Sequence, residues 1–282
     1  MTLALIGIKD PLLLEFASFY KEKNPEYNII IFSHEATEPS FASENTEFPL
    51  HPLSPEALLQ QKVDLAIFFK DGKNKELILE LEDQGLTLID LSEHFRFDST
   101  IPLATRTLPS SYNSLITSVP SYESQSISEL LISLDRAYQL KRVSINVFKR
   151  DFEADLFMSQ ESTDEELVMI NEITKILDNS RLRITSSVYK KCDDDMDSIV
   201  LMTEFVKPFN MNGIEEILEE QEDLAISPAS DLDQSNLIMR RFRRDLSVDS
   251  GMQFHIAIPS FKRLASTNLS SLTDHLLKHK NG

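Results

Sequence analysis

The chain has 282 residues, 41% of them hydrophobic, enough for a folded core and too many for general disorder. Its net charge of −18 argues against nucleic acid and anionic membranes as partners, since both require cationic patches. The single cysteine, Cys192, excludes an intramolecular disulfide and a multi-cysteine zinc site. No apolar run approaches the roughly 18 residues of a spanning helix, and the N-terminus lacks the basic-then-apolar pattern of a signal peptide, so a cytoplasmic location is expected.

The run Thr2 to Gly7 reads as a buried strand. A helix follows, with Asp10 suited to its N-cap and Pro11 to its first turn. Residues 27–32 form a second strand, and the polar, proline-bearing stretch 34–53 reads as a loop. Val63 to Phe69 is a strongly apolar strand. Residues 74–83 are helical, closed by Gly85, and Leu86 to Asp90 is a further buried strand. Continuous apolar strands joined by helices predict a parallel sheet covered on both faces.

The second half changes character. A strand over 142–148 leads to a helix over 164–177, with Thr163 and Glu166 spaced as a capping box. Strands over 182–190 and 198–205 alternate as an antiparallel pair, with Asp193, Asp194, Asp195 and Asp197 at the tip between them. A helix over 213–222, strands over 237–246 and 252–258, and a last helix over 268–278 complete an α+β unit.

A strand, a tight turn at Gly7 and a helix are how a dinucleotide-binding domain begins. That site uses glycines so that the backbone can approach a pyrophosphate. Only six glycines are present, where an average usage of roughly 7% would supply about twenty. Gly7 stands in place, but the next two positions of a G-x-x-G-x-x-G spacing are Asp10 and Leu13. A carboxylate at a helix N-terminus competes with phosphate for the same amides.

Several collinear segments carry a resemblance. They are Val63 to Phe68; Leu88-Ile89-Asp90-Leu91-Ser92-Glu93-His94-Phe95-Arg96-Phe97-Asp98; Asn171-Glu172-Ile173-Thr174-Lys175-Ile176-Leu177; Glu204-Phe205-Val206-Lys207-Pro208; and Arg241-Phe242-Arg243-Arg244-Asp245-Leu246-Ser247 with Gly251. In order and spacing they resemble the aspartate-semialdehyde dehydrogenase family over nearly the whole chain. The resemblance implies a cysteine nucleophile, a histidine acid/base, an arginine for the substrate carboxylate, and NADP.

Against that pattern, Val119-Pro120-Ser121-Tyr122-Glu123-Ser124-Gln125 places Tyr122 at the cysteine position. Asp197 falls at the histidine position. Arg241 matches the substrate arginine and Arg96 the phosphate-contacting one. The nucleophile region is closer to the cysteine-lacking Usg-type paralogue. The segment from Arg150 to Glu161 is much shorter than in the family. Near the C-terminus, Leu264 replaces a cofactor-contacting glycine, and Asn268 is kept.

Plainer readings stand beside these. Arg96 and Arg241 would be an anion-binding remnant, or arginines in salt bridges among 46 carboxylates. Ser121 and Ser124 would need a base in reach to act as nucleophiles. The acidic run lacks calcium-loop spacing and suits a solvated tip. The six histidines show no metal spacing, and no metal is expected.

The fold class expected is α/β: a Rossmann-like parallel-sheet domain over 1–122 with 255–282, and an α+β dimerisation domain over 123–254. The function expected is that of a catalytically inactive homologue acting by binding or assembly. The alternative is an oxidoreductase of altered chemistry, or one with residual NADP binding. No cofactor is expected, with NADP the one implied should the site survive. The family pairs its second domains through sheet surfaces, which implies a homodimer.

Overall fold

The computed structural model describes residues 1–36, 38–42, 46–70, 74–108, 114–150, 163–190, 196–226 and 235–280. The chain divides into two compact units, Met1–Pro120 with Ala265–Gly282, and Ser121–Leu264. The second unit runs further than 123–254. An edge at 254 would cut strand Gly251–Ile258, which is hydrogen-bonded along its whole length to neighbours in that unit.

The first unit is built on a seven-stranded sheet. Its strands are β1 (Thr2–Ile6), β2 (Asn28–Ser33), β3 (Ser40–Ala42), β4 (Glu47–Pro52), β5 (Leu65–Phe68), β6 (Thr87–Asp90) and β7 (Ile116–Ser118), in the order β3-β4-β2-β1-β5-β6-β7. From β4 to β7 every pairing is parallel. Leu3, Leu5, Ile31, Leu65, Ile67 and Ile89 are wholly buried because both faces are covered.

Helix α1 (Pro11–Lys23) starts as its sequence dictates, with Asp10 accepting from Leu12 N at 2.9 Å. The short α2 (Pro55–Gln60) is capped by Ser54. Helix α3 (Lys75–Asp83) ends in a Schellman turn: Leu86 N donates to Leu81 O, Gly85 N donates to Glu82 O, and Gly85 takes φ +82°.

The stretch 34–53 is not only a loop, because it holds β3 and β4. Phe48 and Leu50 alternate inward, but Pro49 and Pro52 disguise the short strand.

The second unit has six strands: β8 (Leu140–Lys149), β9 (Arg183–Lys190), β10 (Asp197–Phe205), β11 (Leu224–Ile226), β12 (Leu237–Arg244) and β13 (Gly251–Ile258). Their order is β11-β12-β13-β10-β8-β9. Helices α4 (Tyr122–Tyr138), α5 (Asp164–Ile176) and α6 (Met211–Glu219) supply Leu130, Leu131, Ile173, Ile214 and Leu218 to its core. They meet Val143, Ile145, Leu201 and Phe254 from one face of the sheet.

Helix α4 falls where the sequence reading assigns no element. Its buried Ser124, Gln125, Ser126 and Ser128 mask the apolar spacing of Ile127, Leu130, Leu131 and Leu134.

The expected pair of strands around the acidic run is not a hairpin. β9 and β10 do run in opposite directions, but β8 lies between them, parallel to β9 and antiparallel to β10. Helix α5 carries the chain from β8 to β9, and parallel neighbours need such a crossover. Cys192, Asp193, Asp194, Asp195 and residues 151–161 of the segment expected to be shorter than in the family lie outside the described residues. The last helix, α7 (Phe261–Lys280), is longer at both ends than 268–278. Among the described residues, no helix is long and apolar enough to cross a membrane.

Candidate functional site

In the first unit the candidate residues gather at the C-terminal ends of the parallel strands, where open α/β sheets bind ligands. Gly7 follows β1 with φ +117°, and its carbonyl accepts Asp10 N at 3.0 Å. The Asp10 carboxylate accepts from Leu12 N and, through its second oxygen at 3.1 Å, from Lys70 N just beyond β5. Leu13 N donates to Asp10 O, and the Leu13 side chain is wholly buried. The amides at the start of α1 are therefore bonded inside the chain.

The rim carries paired charges. Lys9 Nζ lies 2.7 Å from Glu35 beyond β2, and this contact holds the Glu35 carboxyl below its usual range. Lys70 Nζ lies 2.9 Å from Glu93, and Arg96 lies 3.6 Å from the same carboxylate. Arg96 is 7% exposed, so the expected phosphate-contacting arginine is a buried member of an ion-pair chain.

Below it, Asp90 accepts from the amides of Ser92 and Phe95 and from the hydroxyls of Ser92 and Ser118. That buried carboxylate fixes the turn after β6. These residues do not fit a dinucleotide pyrophosphate at the α1 terminus. Asp10 already fills the amides, and no glycine opens the backbone at positions 10 and 13.

In the second unit the candidates gather at one end of the sheet. Tyr122 is the first residue of α4, and its ring stacks on Phe261 at 6.3 Å and 22°. Phe261 follows β13, whose last residue, Ile258, is the register partner of Asp197. Asp197 accepts from Arg150 N at 2.8 Å, and Arg150 Nε lies 3.4 Å from it. The group at the expected acid/base position is thus an ion-paired carboxylate.

Lys149, at the end of β8, reaches Glu123 at 2.8 Å and Glu165 at 3.0 Å. Burial pulls its pKa down, but Glu123 and Glu165 outweigh that and raise it.

Sequence reasoning missed Glu172. It is wholly buried on α5, and its carboxylate accepts from Ser121 N at 2.9 Å and from Ser121 Oγ at 2.6 Å. Ser121 Oγ also receives Ser124 N at the start of α4. Ser121 therefore has a carboxylate in reach, arranged as a clamp on the helix start. The clue was a glutamate inside an otherwise apolar helical face, 51 residues away.

Arg241 lies elsewhere in this unit. It is exposed on β12 opposite His255, three residues before the end of β13, with Arg243 in the same alternation. Arg240 sits at a bulge in the register, and Arg244 packs on the Phe209 ring at 4.5 Å. Arg96 and Arg241 belong to different units. Among the described residues, no group of three or more His, Cys, Asp or Glu is placed to hold a metal ion.

No protein-family model matches the sequence, and no curated protein matches it. Solved structures do match. Aspartate semialdehyde dehydrogenase II of Vibrio cholerae, complexed with ASA, superposes with a TM-score of 0.79 at 18% identity, over 98% of each chain. A probable aspartate-semialdehyde dehydrogenase of Pseudomonas aeruginosa gives 0.77 at 14% identity over 99% of each chain. The Candida albicans enzyme with NADP gives 0.79 at 12% identity, again over 99% of each. The chain therefore has the aspartate-semialdehyde dehydrogenase fold, a Rossmann-like parallel-sheet unit joined to an α+β unit.

Proposed function

We propose that the chain is a catalytically inactive homologue of aspartate-semialdehyde dehydrogenase, of the cysteine-lacking Usg type, that acts by binding or assembly. The observation that carries this reading is the Tyr122 ring stacked on Phe261, at the position that the resemblance gives to the nucleophile. A phenol cannot supply the thiolate that forms a thioester. Asp197, held by Arg150, cannot act as an imidazole acid/base. The Asp10 carboxylate seated on Leu12 N and Lys70 N supports the same reading on the cofactor side.

The remaining activity is assembly, as a homodimer through the 121–264 unit. A second reading, altered oxidoreductase chemistry or residual NADP binding, is favoured by the likeness to the Candida albicans enzyme with NADP.

Two measurements separate the readings. Purified protein is assayed for phosphate-dependent oxidation of aspartate semialdehyde with NADP, and no turnover is expected. Turnover abolished by Tyr122→Phe overturns the proposal. Calorimetry with NADP is expected to show weak or no binding to wild type and tighter binding to Asp10→Gly. A wild-type dissociation constant in the low micromolar range would favour the second reading.

A further inference from the structure

The three helices of the second unit cover one face of its sheet, and the other face is built differently. Its residues alternate with the core positions: Arg241 and Arg243 on β12, Gln253 and His255 on β13, and Val200, Met202 and Glu204 on β10. They continue as Arg142, Ser144 and Asn146 on β8, then Arg183, Thr185 and Ser187 on β9. None of them belongs to the core cluster.

Toward the other end, Ile238, Ala257 and Ser198 are buried, so the open part is the stretch with the arginines. Five strands about 4.8 Å apart, each giving roughly seven residues of about 3.3 Å, span ~550 Å². A specific interface needs about 600 Å² a side at its lower end. The face is thus at the lower edge of the size that pairing with a second copy needs, and charge decides the outcome.

That charge is mostly positive. Among the described residues the face carries four arginines, and its carboxylates sit around one of them: Glu204, which is bonded to Lys141, lies 3.5 Å from Arg142, and the buried Asp245, which accepts from Gln253, feels the charge of the same arginine. Arg183, Arg241 and Arg243 are exposed, and none has an ion-pair partner among the described residues. The arginines lie on both flanks, β12 on one side and β8 with β9 on the other.

A two-fold pair uses the same patch on both copies. Each flank then meets either its own counterpart or the opposite flank, and both are cationic. Like charges brought face to face oppose association, and salt screens them over about 10 Å at 0.1 M.

Resting on the homodimer reading, we infer that the arginines of this sheet face make pairing of two copies anion-dependent: weak at low ionic strength, and strengthened when anions from solution neutralise Arg183, Arg241 and Arg243.

The test is sedimentation equilibrium of the full chain in about 20 mM and about 500 mM NaCl, and with inorganic phosphate at matched ionic strength. Wild type is expected to dimerise at least about tenfold more tightly at the higher salt, with phosphate outperforming chloride. Salt also relieves the repulsion of two chains of charge −18, so variants are needed.

R241T/R243T keeps strand-forming residues but makes the chain more negative. R183T does the same on the other flank. If the facing arginines govern, both variants dimerise about tenfold more tightly than wild type in low salt. If bulk charge governs, both dimerise more weakly, and the inference is overturned. A wild-type dimer indifferent to salt and phosphate, with variants no tighter, also overturns it and leaves the homodimer standing. A monomer under every condition overturns both.

Discussion

At the scale of single residues, some buried polar side chains tie distant elements together. Tyr20 on α1 is wholly buried and donates to Asp274 on α7 at 2.7 Å, beside Lys23 at 3.0 Å from the same carboxylate. Burial first, then the hydrogen bond and charge of Asp274, push the Tyr20 phenol far above its ordinary value of 10.0. A group with a raised folded pKa stabilises fully below its unfolded value and loses that contribution as pH rises above it. Tyr20→Phe should therefore cost about 1–2 kcal/mol near neutral pH, the price of one buried hydrogen bond. It should also flatten the loss of stability that wild type shows above about pH 10. Urea unfolding on either side of that pH checks both. Equal alkaline slopes in the two proteins would show that other groups carry the effect.

At the scale of elements, helix starts dominate. Helix α5 begins with the capping box foreseen in the sequence: Glu166 Oε2 accepts Thr163 N at 2.8 Å, and Thr163 Oγ1 accepts Glu166 N. The second Glu166 oxygen accepts Val188 N on β9 at 2.8 Å, a bond that no local spacing announces. Thr163→Ala removes only the cap and should cost about 1 kcal/mol. Glu166→Ala also frees an amide of β9 and should cost about 2 kcal/mol. It should speed hydrogen exchange along β9, which Thr163→Ala should leave unchanged. Gly251 is constrained by space rather than by φ. A Cβ there would stand 2.5 Å from Thr203 O on β10, so Gly251→Ala forces the two strands apart. A drop of several degrees in melting temperature is the expected reading, from overpacking worth about 1–3 kcal/mol.

At the scale of the whole molecule, the chain leaves the first unit at Pro120 and returns to it at Ala265. The second unit is continuous in sequence and owns a core drawn from α4, α5, α6 and its sheet. Residues 121–264 expressed alone should therefore unfold in one cooperative urea transition. Residues 1–120 alone lack α7, whose Leu269, Leu272 and Leu277 are buried and whose Asp274 ties to Tyr20 and Lys23. That fragment should show a broad transition and a lower urea slope. Circular dichroism of the two fragments decides it, and a non-cooperative 121–264 fragment would overturn the division.

The sequence by itself determined what is local or periodic. The strand, Gly7 turn and Asp10-capped helix at the start follow from a continuous apolar run and capping chemistry within a few residues. So do the Gly85 helix stop and the capping box of α5. Tertiary structure alone decided which strands are neighbours, because an apolar strand pairs equally well with several partners. Only the packed chain places β8 between β9 and β10 and brings β4 beside β2. It alone joined Asp10 to Lys70, Ser121 to Glu172 and Tyr20 to Asp274, across 60, 51 and 254 residues. A buried polar group takes the partner that the fold delivers, and no spacing in the sequence records a distance closed only when the core forms.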